Sequence, residues 1–69
     1  KRIGIVGIGN IGREVAKIAQ AFRMEVVVHA RPRHQKWIES EGFIYAPSIE
    51  DAAKGADYIS FHTGLGAPN

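Results

Sequence analysis

Two hydrophobic periods alternate along the chain. Ile3-Gly4-Ile5-Val6 is a short apolar run closed by Gly7, the pattern of a strand buried on both faces, and it predicts a strand over residues 2 to 7. Residues 10 to 23 change to helical spacing. Ile11, Val15, Ile18, Ala19 and Phe22 fall at i, i+4, i+7, i+8 and i+11, which predicts one buried face, with Arg13, Lys17 and Gln20 on the other. Glu25-Val26-Val27-Val28-His29 is the second strand, again apolar on both faces. Ala30-Arg31-Pro32-Arg33 breaks it. A short helix follows over 33 to 41, with Trp37 and Ile38 as its apolar contacts and Gly42 as its stop. Phe43-Ile44-Tyr45-Ala46 is a third strand. Ser48 then caps a third helix, with Asp51 three residues on as a capping-box-like partner and Gly55 as the stop. Asp57 precedes a fourth strand, Tyr58-Ile59-Ser60-Phe61, and residues 62 to 69 read as loop.

The order β-α-β-α-β-α-β with short connections predicts an α/β fold: a Rossmann-like, doubly wound parallel sheet with strand order 3-2-1-4. The first two helices then share one face of the sheet and the third lies on the other. That second face should leave apolar surface open, and strand 4 should be a bare edge, both covered by the remainder of a parent chain. Residues 1–69 are expected to be a single partial domain, the N-terminal part of a dinucleotide-binding domain. No repeat longer than the β/α unit is visible.

The candidate chemistry sits in the first turn. Gly7-Ile8-Gly9-Asn10-Ile11-Gly12 joins the first strand to the first helix, the context in which a G-x-G-x-x-G pattern reads as a dinucleotide fingerprint. Gly7 turns the chain off the strand. Gly9 leaves room for a diphosphate against the main chain. Gly12 lets helix and strand lie close. The free N–H groups around Asn10 and Ile11 then face the phosphates, at the positive end of the helix dipole.

Composition adds bounds. With 69 residues and 45% hydrophobic content there is enough for one small domain and not for two. The absence of cysteine removes disulfides and thiolate metal sites, which is compatible with a reducing, cytoplasmic setting. No apolar run approaches a membrane span. The net charge of +2 comes mostly from Arg31, Arg33, His34 and Lys36. No aromatic interleaving accompanies that cluster, so nucleic acid is not the expected partner. Three scattered histidines lack metal-ligand spacing, so no metal is expected.

Read together, these segments resemble the D-isomer-specific 2-hydroxyacid dehydrogenases. The matching stretches are Gly4 to Arg13, Val15 to Phe22 with Met24, Ser48 to Asp51, and Ala56 to His62. The resemblance implies a domain that binds NAD or NADP in an enzyme that moves a hydride between the nicotinamide and C2 of a 2-keto or 2-hydroxy acid, commonly as a homodimer. It also implies that the catalytic arginine and the His–Glu pair lie further along such a chain, so no catalytic residue is assigned here. Two departures stand out. Gly64 and Gly66 replace the family's usual Pro and Thr after His62. Arg23 stands where a C-cap glycine is usual, at a cost on the order of 1 kcal/mol if its φ is positive.

An NAD site needs a carboxylate at the end of strand 2; here that position is Ala30, followed by Arg31 and Arg33. Guanidinium groups give charge-assisted bonds to a 2′-phosphate, so NADP is the expected cofactor, with NAD as the alternative. His62, Thr63 and Gly64, after strand 4, are expected to line the cofactor cleft. His29 is expected to pack beside an adenine pocket, His34 to lie on the surface, and Trp37 and Tyr45 to pack. The competing function is a non-catalytic nucleotide-sensing module, distinguished by whether a further β/α half with Arg, Glu and His follows. A third reading is an inactive excised piece. S-adenosylmethionine-dependent methyltransferases share only the glycine-rich turn.

Overall fold

Val26, Val27 and Val28 are all buried, as they must be in a strand with covered neighbours on both faces. The computed structural model describes residues 1–62. In chain order these form β1 (Arg2–Val6), α1 (Asn10–Ala21), β2 (Glu25–His29), a 3-10 turn (Pro32–His34), α2 (Gln35–Ser40), β3 (Ile44–Ala46), α3 (Ile49–Ala53) and β4 (Tyr58–Phe61). The four strands make one sheet in the order β3-β2-β1-β4, and every pairing is parallel. This is the expected partial Rossmann-like arrangement.

Register divides the side chains between two faces. Ile3, Val26 and Tyr58 align across the sheet, as do Ile5, Val28, Tyr45 and Ser60. Ile5, Val26 and Val28 pack with Ala16 and Ala19 of α1, Ile38 of α2 and Phe43. On the opposite face Val6, Val27 and Ala46 pack with Ala52 of α3. The helices are therefore split two and one, as the crossover rule requires. Gly4 explains how close α3 comes: a Cβ there would run into the carbonyl oxygen of Ala52. A glycine inside a strand marks such an approach.

Helix α1 departs from the sequence expectation. The residues pressed on the sheet are Gly12, Ala16 and Ala19. Ile11, Ile18 and Phe22 are 69%, 57% and 76% exposed, so the larger apolar residues, about 100° round the helix, face solvent. Small residues allow the helix axis to approach the strands, and that close approach decides which apolar stripe is buried.

Two helices end in the same way with different residues. At α1 the Met24 N–H donates to the Ala19 carbonyl at 3.0 Å and the Arg23 N–H to Gln20 at 2.8 Å. At α2 the Phe43 N–H donates to Ile38 and the Gly42 N–H to Glu39, both at 3.1 Å. This pair of bonds places the residue after the cap in the left-handed region: Gly42 has φ 86° and Arg23 φ 63°. The side chain at Arg23 therefore carries the expected strain, on the order of 1 kcal/mol.

The start of α2 also differs. Arg31, which precedes Pro32, is extended at φ −62° and ψ 148°, as the proline ring demands of its predecessor. A 3-10 turn comes first, and the α-helix begins only at Gln35. The α3 cap is as expected: the Ser48 Oγ accepts from the Asp51 N–H at 3.0 Å. β4 is an edge strand among the described residues, with Tyr58 54% and Phe61 62% exposed.

Candidate cofactor site

The site begins where β1 ends. The Gly7 N–H donates to the His29 carbonyl at 2.8 Å, which carries the β1–β2 ladder one residue past the strand. Gly7 then turns with φ 95°, a conformation that a side chain would disfavour. Gly9 is extended and precedes α1 with no side-chain cap. The first helical bond runs from the Arg13 N–H to the Gly9 carbonyl at 2.9 Å. The N–H groups of Asn10, Ile11 and Gly12 precede that bond and have no partner within the helix.

Two glycines of this turn do different things. A Cβ on Gly12 would lie 2.9 Å from the Gly7 carbonyl oxygen and 3.5 Å from the His62 Cβ. Gly12 thus holds the turn, the helix and the end of β4 together. A Cβ on Gly9 would meet nothing within 4 Å. The space in front of Gly9 is open, as an approaching diphosphate needs.

A cavity of about 670 Å³ opens here, at the carboxyl ends of all four strands. Val6, Gly7, Ile8 and Gly9 form its floor, His29 to His34 one wall, and Tyr45, Pro47, Ile49 and His62 the remainder. Its size falls in the range of small-molecule sites, and its position is where open α/β sheets take ligands. Hydrogen bonds fix several walls. The Tyr45 hydroxyl donates to the Ala30 carbonyl at 3.1 Å, and the His29 Nδ1 donates to the Ala46 carbonyl at 2.9 Å. The His62 N–H donates to the Val6 carbonyl at 2.7 Å, and its ring is hydrogen-bonded to the Ser60 hydroxyl.

The cavity wall is cationic. Arg31 and Arg33 are exposed at its rim. The Arg33 Nε donates to the His34 Nε2 at 3.4 Å. Burial holds the His34 imidazole below its usual pKa, and the Arg33, Arg13 and Arg31 guanidiniums lower it further. Among the described residues the one ion pair is Arg2–Glu25, at the other end of the sheet. Among the described residues the cavity lining holds no carboxylate and no thiol. The arrangement can bind an anion. No three His, Cys, Asp or Glu side chains come together as a metal site among the described residues.

Of the expected site residues, Gly7, Gly9, Ala30, Arg31, Arg33 and His62 line the cavity together. Asn10, Ile11 and Gly12 do not line it; Gly12 is buried behind the turn, and Ile11 is exposed beside it. Thr63 and Gly64 lie outside the described residues. The cavity also takes in residues expected only to pack or to lie on the surface: His29, His34 and Tyr45, with Pro47 and Ile49. The signal for them was the parallel register. Ala46 aligns with His29 and Val6, so the chain leaving β3 must reach the same end of the sheet as the glycine turn.

Comparisons with known proteins agree with this geometry. The family model described as the D-isomer specific 2-hydroxyacid dehydrogenase, NAD binding domain, matches residues 1–68. The chain is 46% identical over 63 residues to an erythronate-4-phosphate dehydrogenase of Bacteroides thetaiotaomicron, which covers 91% of the chain and 17% of the relative. It is 40% identical over 65 residues to a glyoxylate reductase of Aeropyrum pernix, covering 94% and 19% respectively. It is 34% identical over 65 residues to a D-3-phosphoglycerate dehydrogenase of Methanocaldococcus jannaschii, covering 94% and 12%. The chain thus spans less than a fifth of the length of these curated relatives. No solved structure matches. With the glycine turn, the parallel sheet and the cavity in view, the chain belongs to the D-isomer specific 2-hydroxyacid dehydrogenase family of oxidoreductases, as its nicotinamide dinucleotide-binding domain.

Proposed function

We propose that the chain is the cofactor-binding portion of an NADP-linked dehydrogenase acting on a small 2-keto or 2-hydroxy acid. Residues 1–69 form the N-terminal part of its dinucleotide-binding domain. The residues fit the cofactor: three N–H groups at the start of α1 lack a helical partner, and the space at Gly9 is open. Gly7, Gly9, Asn10, Ile11 and Gly12 hold the diphosphate through the main chain. Ala30, Arg31 and Arg33 receive the adenosine ribose. His62, which lines the cavity, is assigned to the nicotinamide side, with Thr63 and Gly64, next in the sequence, as further cofactor-binding residues. When bound, the nicotinamide supplies or accepts the hydride; this chain's part is to bind and orient it. The exposed stripe of Ile11, Ile18 and Phe22 on α1 suits burial against more of the same chain or a second subunit of a homodimer. No helix among the described residues is long and apolar enough to cross a membrane, and a cytoplasmic enzyme is the reading we favour.

The observation that carries the NADP assignment is at the end of β2. A buried Ala30 occupies the position of the ribose-binding acid, and two guanidiniums with no ion pair among the described residues follow it. Each charge-assisted bond to a phosphate contributes about 1.5–3 kcal/mol. NADPH should therefore bind the full-length protein at least ~10-fold more tightly than NADH. Replacing Arg31 and Arg33 together by Ala should sharply reduce that preference. Equal affinities, or tighter NADH, would overturn the assignment.

A further inference from the structure

Arg13 lies outside the glycine pattern and does not line the cavity, yet it belongs to the same charged cluster. Its guanidinium sits over the Trp37 ring, 4.4 Å from the centroid. That ring meets Phe43 edge-on, with centroids 5.9 Å apart and planes at 64°, and Phe43 is buried in the core. Trp37 is therefore a fixed platform. It carries Arg13 from the first turn of α1 across to the loop of Arg31, Arg33 and His34. The proximity is felt electrostatically, since Arg13 is one of three guanidiniums that disfavour a proton on His34. A guanidinium held by a ring face does not use its N–H donors for that contact. Among the described residues those donors find no acceptor, and no carboxylate lies within ion-pair distance of them.

We propose that Arg13 is a third guanidinium of the subsite for the 2′-phosphate, held in place by Trp37, and that it helps to set cofactor choice. The proposal rests on the NADP reading above. Arg31 and Arg33 are exposed side chains, Arg33 held only by its bond to His34, and must be ordered when a phosphate binds, whereas Arg13 is already held by its platform. It therefore contributes affinity with a smaller entropic cost. Trp37 acts through Arg13 and is a positioning residue.

The test titrates the full-length protein with NADPH, NADH, adenosine 2′,5′-bisphosphate and AMP. In the wild type the 2′-phosphorylated member of each pair should bind more tightly. Arg13→Leu should lower that preference about 10-fold in both pairs. Trp37→Leu should reproduce part of the loss, and Trp37→Phe, which restores a ring face, should recover it. An Arg13→Leu protein that keeps the wild-type preference overturns the role of Arg13 and leaves the NADP reading standing. A wild type indifferent to the 2′-phosphate overturns both.

Discussion

The two ends of the sheet handle charge in opposite ways. At the amino end Arg2 pairs with Glu25, its backbone N–H is taken by the Asp57 carboxylate, and its Nη1 reaches the Lys54 carbonyl. Arg2, two acids and the main chain satisfy one another there. At the carboxyl end Arg13, Arg31 and Arg33 gather round His34 with no acid among the described residues to answer them. The main-chain donors of α1's first turn there also lack a helical partner. One end of the same four strands thus holds an arginine answered internally, and the other is the end where we propose that the anionic cofactor binds. What the difference teaches is that a cluster of guanidiniums without an acid, set beside a cavity and a glycine turn, is the feature that points to an anionic ligand.

Substitutions can break this contrast. The largest effect is expected at Gly12, where a Cβ would press on the Gly7 carbonyl oxygen. Gly12→Val should distort the turn, destabilise the domain by about 1–3 kcal/mol and abolish binding of both cofactors. Gly9→Ala sharpens the point. Its new methyl meets nothing in the protein, so stability should stay within about 0.5 kcal/mol while NADPH and NADH both weaken. Thermal unfolding beside cofactor titration separates the two cases. If Gly9→Ala leaves affinity untouched, the diphosphate does not lie against that turn.

A smaller effect is expected at the amino end. Glu25→Gln removes an ion pair whose side chains are 37% and 48% exposed, so stability should fall by less than about 1 kcal/mol. Cofactor affinity should not change. A loss of affinity from Glu25→Gln would show that the two ends are not independent.

The smallest effect concerns pH. His34 resists protonation in the folded chain because of its burial and the neighbouring arginines. The unfolded chain, with the ordinary imidazole pKa of 6.5, takes up a proton that the folded chain resists. The His34 contribution is therefore fully present above pH 6.5 and declines as pH falls below it. The effect is small because the side chain is only half-buried. His34→Gln should flatten the fall in urea midpoint between about pH 7.5 and 5.5; an unchanged slope would mean the cluster does not act on His34.

Much of this architecture was legible because strand and helix patterns have different periods. The valine run of β2, the switch to helical spacing after Gly9 and the Ser48 cap each point to one local structure, and these agree on one topology. The buried face of α1 was legible only in part: Val15 and Ala19 of the expected face pack on the core, but Ile11, Ile18 and Phe22 do not. Gly12-Ala16-Ala19 and Ile11-Ile18-Phe22 both repeat with the helical period, and hydrophobicity favours the wrong one. Only the distance of approach to the sheet, which small residues permit, decides between them. The glycine of β1, Gly4, did carry a signal, since an interior strand glycine suggests backbone contact, here with Ala52. The cavity walls at Tyr45 and His34 required the register of β3 and the 3-10 turn after Pro32. The Arg13–Trp37 contact joins two helices and has no local signature at all.

Hydrogen–deuterium exchange of the full-length protein with and without NADPH tests the contrast between the two ends most directly. Peptides covering residues 7–13 and 30–34 should gain protection on binding, and those covering 24–26 and 54–58 should exchange as before. Protection concentrated at the Arg2–Glu25–Asp57 end, or none near the glycine turn at saturating cofactor, would contradict the account.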